Sequence, residues 1–278
     1  MNGLGTIVGL TLFEARQRRI LLATFLCGAS FLVLYGIGFH FIHREVASRS
    51  ATTLVQRGLA LNFFIMAGLY AVNFLTIMTA VLLPVDTLSG EIASGVIQTV
   101  VSKPVRRSAI VLGKWIGHAI VLAGYLALMA GGVLTIARTI SGLTPPDLGP
   151  GLALMYLEGL VLLTLSIAGG ARFDTITNGV VVFGLYGLAF VGSWTEQIGT
   201  LANNLTARHL GTVASLIMPS EAMWQLAAWH MQPAITRELQ LTPFSPASVP
   251  NGTMVAWTIG YVLVTLALAV RSFSRREL

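Results

Sequence analysis

Residues 86–115 read "DTLSGEIASGVIQTVVSKPVRRSAIVLGKW" and stand between two long apolar runs. Each charge held at mid-bilayer costs about 3 kcal/mol or more. If the flanking runs cross a membrane, this insert of carboxylates, serines, a proline and bases lies outside it. Bulk composition agrees with that premise. Of 278 residues, 55% are hydrophobic and 10% charged, whereas a soluble domain carries about 25% charged residues. The 17 Lys and Arg against 11 Asp and Glu read as loop charge of a membrane protein rather than as a nucleic-acid surface. A single cysteine, Cys27, permits no intrachain disulfide. The opening stretch "MNGLGTIVGLTLFEARQRR" places its bases ahead of the first apolar run, so no cleavable leader is expected.

A spanning helix needs about 20 apolar residues at about 1.5 Å of rise each. Six segments qualify: 20–42, 58–83, 110–137, 152–171, 178–194 and 254–270. Backbone polar groups inside lipid must bond within the segment, so each is expected to be a helix. The fold class expected is all-α: one polytopic domain over 1–278, with an amphipathic helix at 1–19 and loops at 84–109 and 195–253. Six spans put both termini on one side. With that side in the cytoplasm, eleven bases lie inside (Arg16, Arg18, Arg19, Lys103, Arg106, Arg107, Lys114, Arg172, Arg271, Arg275, Arg276) and six outside (Arg44, Arg49, Arg57, Arg138, Arg208, Arg237). The bias favours cytoplasmic termini in a multi-pass protein of the cell membrane. Residues 209–231, "HLGTVASLIMPSEAMWQLAAWHM", could pass for a seventh span. Glu221 would then sit near mid-bilayer, and the basic C-terminus would move outside. They are expected instead to form an external helix-break-helix in the membrane interface. Pro219 and Glu221 would occupy a first helical turn, and Trp224 and Trp229 headgroup level.

Within the quoted stretch, Leu88, Ile92, Val96 and Val100 recur at helical spacing, while Glu91, Ser94 and Gln98 fall largely elsewhere on the wheel. Pro104 is expected to end this helix, because the residue before a proline is pushed out of helical geometry. The result is a short amphipathic helix on the inner face, which either rests on lipid headgroups or docks a soluble partner.

These residues resemble a family. Glu91, Gly95, "VVSKPVRR" (100–107) and "IVLGK" (110–114) look like the cytoplasmic loop of ABC-2 type transporter permeases. Glu91, Gly95, Ser102, Pro104, Arg107, Gly113 and Lys114 match that pattern, and Val96 stands where threonine is usual. In length and layout the chain is also similar to the branch that assists nitrous-oxide-reductase maturation. The resemblance implies a coupling helix, with Glu91, Gly95, Ser102, Pro104, Arg106 and Arg107 at the ATPase contact. It implies a homodimer bound to two cytoplasmic ATPase subunits that hold ATP and Mg, with this chain non-catalytic and carrying no cofactor. Membrane lipid is the surrounding partner, an extracytoplasmic accessory protein has room to bind, and nucleic acid is not expected. Consistent with a separate motor, no G-x-x-x-x-G-K-[ST] occurs.

Inside the spans, Gly113, Gly117, Gly124 and Gly131 make a small-residue seam. It is read as packing within one subunit. Phe183, Tyr186, Phe190 and Trp194 form an aromatic stripe on the fifth span. Such stripes are usually packing. The resemblance makes this one, with Asn62, Asn73, Thr76 and Thr79 of the second span, a candidate pathway lining. Few charges appear there, which suits an amphipathic or lipid-like cargo. Glu158 is the one carboxylate inside a span. It is a functional candidate by default, and a structural partner in Arg138 or His40 is the plainer expectation. Lys114 and His118 are read as anchors at the inner interface, with Lys114 snorkelling to the headgroups.

Metal chemistry finds no pattern, since the five histidines (40, 43, 118, 209, 230) form no H-E-x-x-H. Three competing readings are carried. One is an ion-coupled secondary transporter using Glu158, which should show internal repeats; none is found. Another is an intramembrane enzyme, for which no catalytic constellation is present. The third is a non-transporting ATP-driven machine that transmits force to an extracytoplasmic partner.

Overall fold

A computed structural model describes residues 3–48, 53–95, 106–239, 242, 244–246 and 248–275. Regular structure among the described residues is helical throughout. The elements are α1 (Gly3–Gln17), α2 (Arg19–Ser48), α3 (Leu54–Leu82), α4 (Ser89–Ala93), α5 (Arg107–Ser141) and α6 (Leu148–Gly170). They continue with α7 (Thr175–Leu201), α8 (Leu205–Ile217), α9 (Ser220–Met231), α10 (Ala234–Leu239) and α11 (Gly252–Ser274). Six of them, α2, α3, α5, α6, α7 and α11, are long and apolar enough to cross a bilayer. They match the six expected spans, most running a few residues past them, while α3 and α6 stop one residue short at their C-terminal ends. The 23 residues of α6 reach about 35 Å, enough for a hydrocarbon core of about 30 Å.

Local chemistry marks the ends. Thr53 and Gln56 form a reciprocal capping box at the start of α3, satisfying two amide donors that the first turn leaves unpaired. Gly142, with φ of 72°, closes α5 by donating to Arg138 O. Asn251 caps α11 through its side chain.

α6 is enclosed by α3, α5, α7, α9 and α11. By contrast α2 buries only Gly28 and Phe39 of its own residues. The apolar interior falls into two clusters stacked along the bundle. One, at the end we call the crown, includes Phe39, Leu69, Tyr125, Trp224 and Met231. The other, toward the base where α1 and α4 lie, includes Ile77, Ile110, Leu162, Met218 and Phe273. The seam glycines divide. A side chain at Gly113 or Gly117 would strike Ile7 or Thr11 of α1, whereas Gly124 and Gly131 face open space. The G-x-x-x-G pair thus seats α1 on α5, within the subunit.

Two expectations about loops are corrected. The helix begun near Leu88 is not continuous through Gly95. It stops at Ala93, and Gly95 takes φ of 74°, a left-handed conformation that breaks helical continuation. Val96 to Val105, which include Ser102 and Pro104, lie outside the described residues.

Residues 205–231 do not lie flat across the crown. After a left-handed Asn203 and an Asn204 cap, α8 runs back along α7. The two backbones nearly touch: a Cβ on Gly211 would lie 2.7 Å from Gly192 O, and one on Gly199 would lie 3.0 Å from Arg208 N. Ala214 is level with Gly192, nine residues or about 14 Å below the end of α7. Met218, a further turn down, packs in the base-side cluster. The chain then returns upward as α9 against α6, burying Trp224, which is 3% exposed rather than at a headgroup surface. Apolar side chains on the outer face of α8 (Leu210, Val213, Ile217) remain exposed. The hairpin is thus packed alongside the bundle, and glycine at 192, 199 and 211 makes it fit.

Candidate functional site

At the base, residues 81–95 are tied to α5, α6 and α7 and to Arg18 between α1 and α2. Glu91 points inward and is ion-paired with Lys114 of α5, which also lies 3.9 Å from Glu14 of α1. The two side chains of that pair are 13% and 6% exposed. Burial pushes the Glu91 carboxyl above its ordinary range, a cost that the neighbouring Lys114 ammonium and its hydrogen bond offset only in part.

Asp86 reaches toward Arg18 at 4.0 Å and accepts a 2.8 Å hydrogen bond from Thr175 at the start of α7. The Thr175 hydroxyl also meets Ser89 Oγ at 2.9 Å. Asn178 Nδ2 donates to Val85 O at 3.2 Å and to Ser166 O at 2.8 Å, while Ser166 Oγ donates to Val81 O at 3.0 Å. A Cβ on Gly90 would fall 2.2 Å from Asp86 Oδ1, so a larger residue there would have to turn the Asp86 carboxylate aside from Thr175.

Lys114 and His118 are corrected accordingly. Neither reaches a headgroup layer. Lys114 is 5% exposed, and its partner is Glu91. His118 is 2% exposed, with Nδ1 2.7 Å from Lys114 O and Nε2 3.3 Å from Thr87 Oγ1. The exposed part of the α4 region is Ala93 and Ser94, with Arg106 at the cap of α5. Arg107 donates to Ser274 O at 3.2 Å, joining α5 to the end of α11.

The pathway candidates occupy the middle of the bundle. Asn73 Nδ2 donates to Glu158 Oε2 at 2.9 Å, replacing the expected Arg138 or His40 partner. Glu158 is fully buried. Thr76 and Thr79 turn their hydroxyls back to Val72 O and Leu75 O of their own helix, and Asn62 is buried. The aromatic stripe is real but graded. Tyr186 is buried, its ring 6.5 Å from Phe190; Phe190 is 6.3 Å from Trp194, which is half-exposed toward the crown. Phe183 packs against the base-side cluster.

Two elements of this arrangement escaped sequence reasoning. The Glu91–Lys114 pair had a signal, a lysine inside an apolar run. The hydrogen bond from Asn73 to Glu158 had none, because it depends on how α3 and α6 are rotated about their axes.

A family model described as ABC-2 family transporter protein matches residues 14–278. No curated protein matches the chain.

Proposed function

The chain belongs to the ABC-2 transporter family, and from that membership we propose that it is a permease exporting an amphipathic or lipid-like substrate, driven by a separate ATPase. In this reading the base faces the cytoplasm with both termini. Two copies form a homodimer, and two ATPase subunits carry ATP and Mg and perform the hydrolysis.

The observation that supports it most directly is the clamping of α4. A push delivered at Ser94 or Arg106 cannot be absorbed where it lands. Glu91 passes it to α5 through Lys114, Asp86 and Ser89 pass it to α7 through Thr175, and Glu14 links α1 to the same lysine. Packed interiors transmit such displacements because they deform little. The contact surface is then Gly95, Ser102, Pro104, Arg106 and Arg107, with Glu91 as its internal anchor. The route runs beside Asn62, Asn73 and Thr76 on one side and Phe183, Tyr186 and Phe190 on the other. Its mainly apolar walls favour cargo with a long hydrophobic part.

The test is co-purification with the cognate ATPase, comparing wild type and Ser94→Arg. The substituted protein should fold, yet lose the ATPase or its substrate-stimulated hydrolysis. Full retention of both would remove α4 from the interface. ATP-driven movement of cargo in reconstituted vesicles separates an exporter from a machine that transmits force to an extracytoplasmic partner.

A further inference from the structure

A narrow cleft opens at the crown between α3, α7, α9 and residues 244–246. Its walls are aromatic. Tyr70 stands with its ring centre 5.2 Å from Trp224 and 5.6 Å from Phe244, and Trp194 closes another side. Its polar rim is internally satisfied: Gln225 Nε2 donates to Ser193 Oγ at 2.7 Å, and Gln197 Nε2 donates to Ser245 O at 3.1 Å.

One lining group is unmatched. Glu221 is 5% exposed, and its carboxylate has no hydrogen bond or ion pair among the described residues. Among the described residues the neighbouring Ser220 hydroxyl is likewise buried without a partner. A carboxylate largely shielded from water, with only the first turn of α9 to offset its charge, is unfavourable. The chemistry that would relieve it is a cation, and the aromatic faces select among cations. A ring quadrupole attracts a large, weakly hydrated ammonium far better than it can strip water from sodium.

We propose that this cleft binds an organic ammonium group, seated against Tyr70, Trp224 and Phe244 with its charge on Glu221. The ammonium is either that of a free amine compound or that of a lipid headgroup. The site goes beyond the export reading and does not depend on it, because binding requires no ATPase.

The experiment uses the purified full chain in nanodiscs of phosphatidylglycerol, without the ATPase, and measures equilibrium binding of radiolabelled choline. Saturable binding is expected, displaced by tetramethylammonium chloride and not by sodium chloride at equal ionic strength. Glu221→Gln should weaken it more than tenfold. Phe244→Leu, which keeps an apolar wall but removes the ring, should weaken it about 3- to 30-fold. Gel filtration and helical circular dichroism confirm that both variants are folded, and a variant that fails this check is replaced by Tyr70→Leu.

Repeating the measurement in phosphatidylcholine nanodiscs identifies the source. Loss of choline binding there assigns the site to a lipid headgroup, and persistence assigns it to a free ammonium compound; either supports the proposal. No saturable binding in phosphatidylglycerol, displacement by sodium alone, or undiminished binding by folded Glu221→Gln overturns it. These readouts stand apart from co-purification with an ATPase, so this inference and the export reading can fail separately.

Discussion

The carboxylate of Glu91 and the ammonium of Lys114 meet as an ion pair at the base of the bundle, 13% and 6% exposed. It binds the five-residue α4 to the 35-residue α5. Truncating one member of a buried pair leaves the other without compensation, which costs about 3–5 kcal/mol. Glu91→Ala should fall near the lower end, because Lys114 keeps Glu14 at 3.9 Å. The double variant Glu91→Leu, Lys114→Met should recover most of the loss. Thermal midpoints of the detergent-solubilised protein measure the cycle, and additive losses would show that the two residues do not act as a pair.

The seam on α5 yields a contrast within one helix. Gly117→Leu must displace Thr11 and so lift α1, whereas Gly124→Leu enters open space. The first should lower stability by about 1–3 kcal/mol, as overpacking does. The second should be neutral or slightly stabilising, since glycine in a helix interior is unfavourable by about 1 kcal/mol relative to better helix formers. Unfolding midpoints compare the two, and equal effects would refute the seating of α1 there.

The path of the α8–α9 hairpin alongside the bundle is testable by accessibility. In proteoliposomes lacking other reactive thiols (Cys27→Ser background), Leu205→Cys should react with a membrane-impermeant maleimide from the crown side. Ile217→Cys, beside the deep tip, should not. A hairpin lying flat in the interface would label at both positions.

Glu158 separates two modes of energising transport. Glu158→Gln keeps an acceptor for the Asn73 amide and removes the ionisable proton, so stability should hardly change. Asn73→Leu should cost about 1–3 kcal/mol, because it leaves the buried carboxyl without its donor. ATP-driven transport should survive Glu158→Gln. Its abolition in a stable protein would instead favour proton coupling through this residue.

Much of the architecture was legible along the chain. The six spans are runs of apolar residues, and whether a run can cross lipid depends on its own length and composition. The polar insert at 86–107 announced itself by contrast with its flanks, and the family pattern around Glu91 and Lys114 was readable there. The amphipathic reading of that insert failed at one point. Leu88 and Ile92 kept the helical period, but Gly95 interrupts the helix between them and Val96. The interfacial reading of 209–231 missed the burial of Trp224 for a different reason. Glu221 argued against a full crossing, and no local rule distinguishes a hairpin resting on a bilayer from one inserted into a protein. What decides it is the close approach of two helices, Gly192 and Gly199 of α7 against Ala214 and Arg208 of α8, and Gly211 of α8 against Gly192 O.

Sequence alone determined which segments would be helices in a membrane, which one would be excluded from it, and that no phosphate-cradling loop is encoded. Each of those rests on neighbours in the chain, where hydropathy and backbone hydrogen bonding are settled locally. Only the tertiary structure decided that Lys114 faces Glu91 rather than the headgroups, that Asn73 faces Glu158, and that Glu221 lies beside an aromatic cleft. Those pairings depend on the rotation and depth of helices about their axes. Packing of the whole bundle sets both, through side chains far apart in sequence.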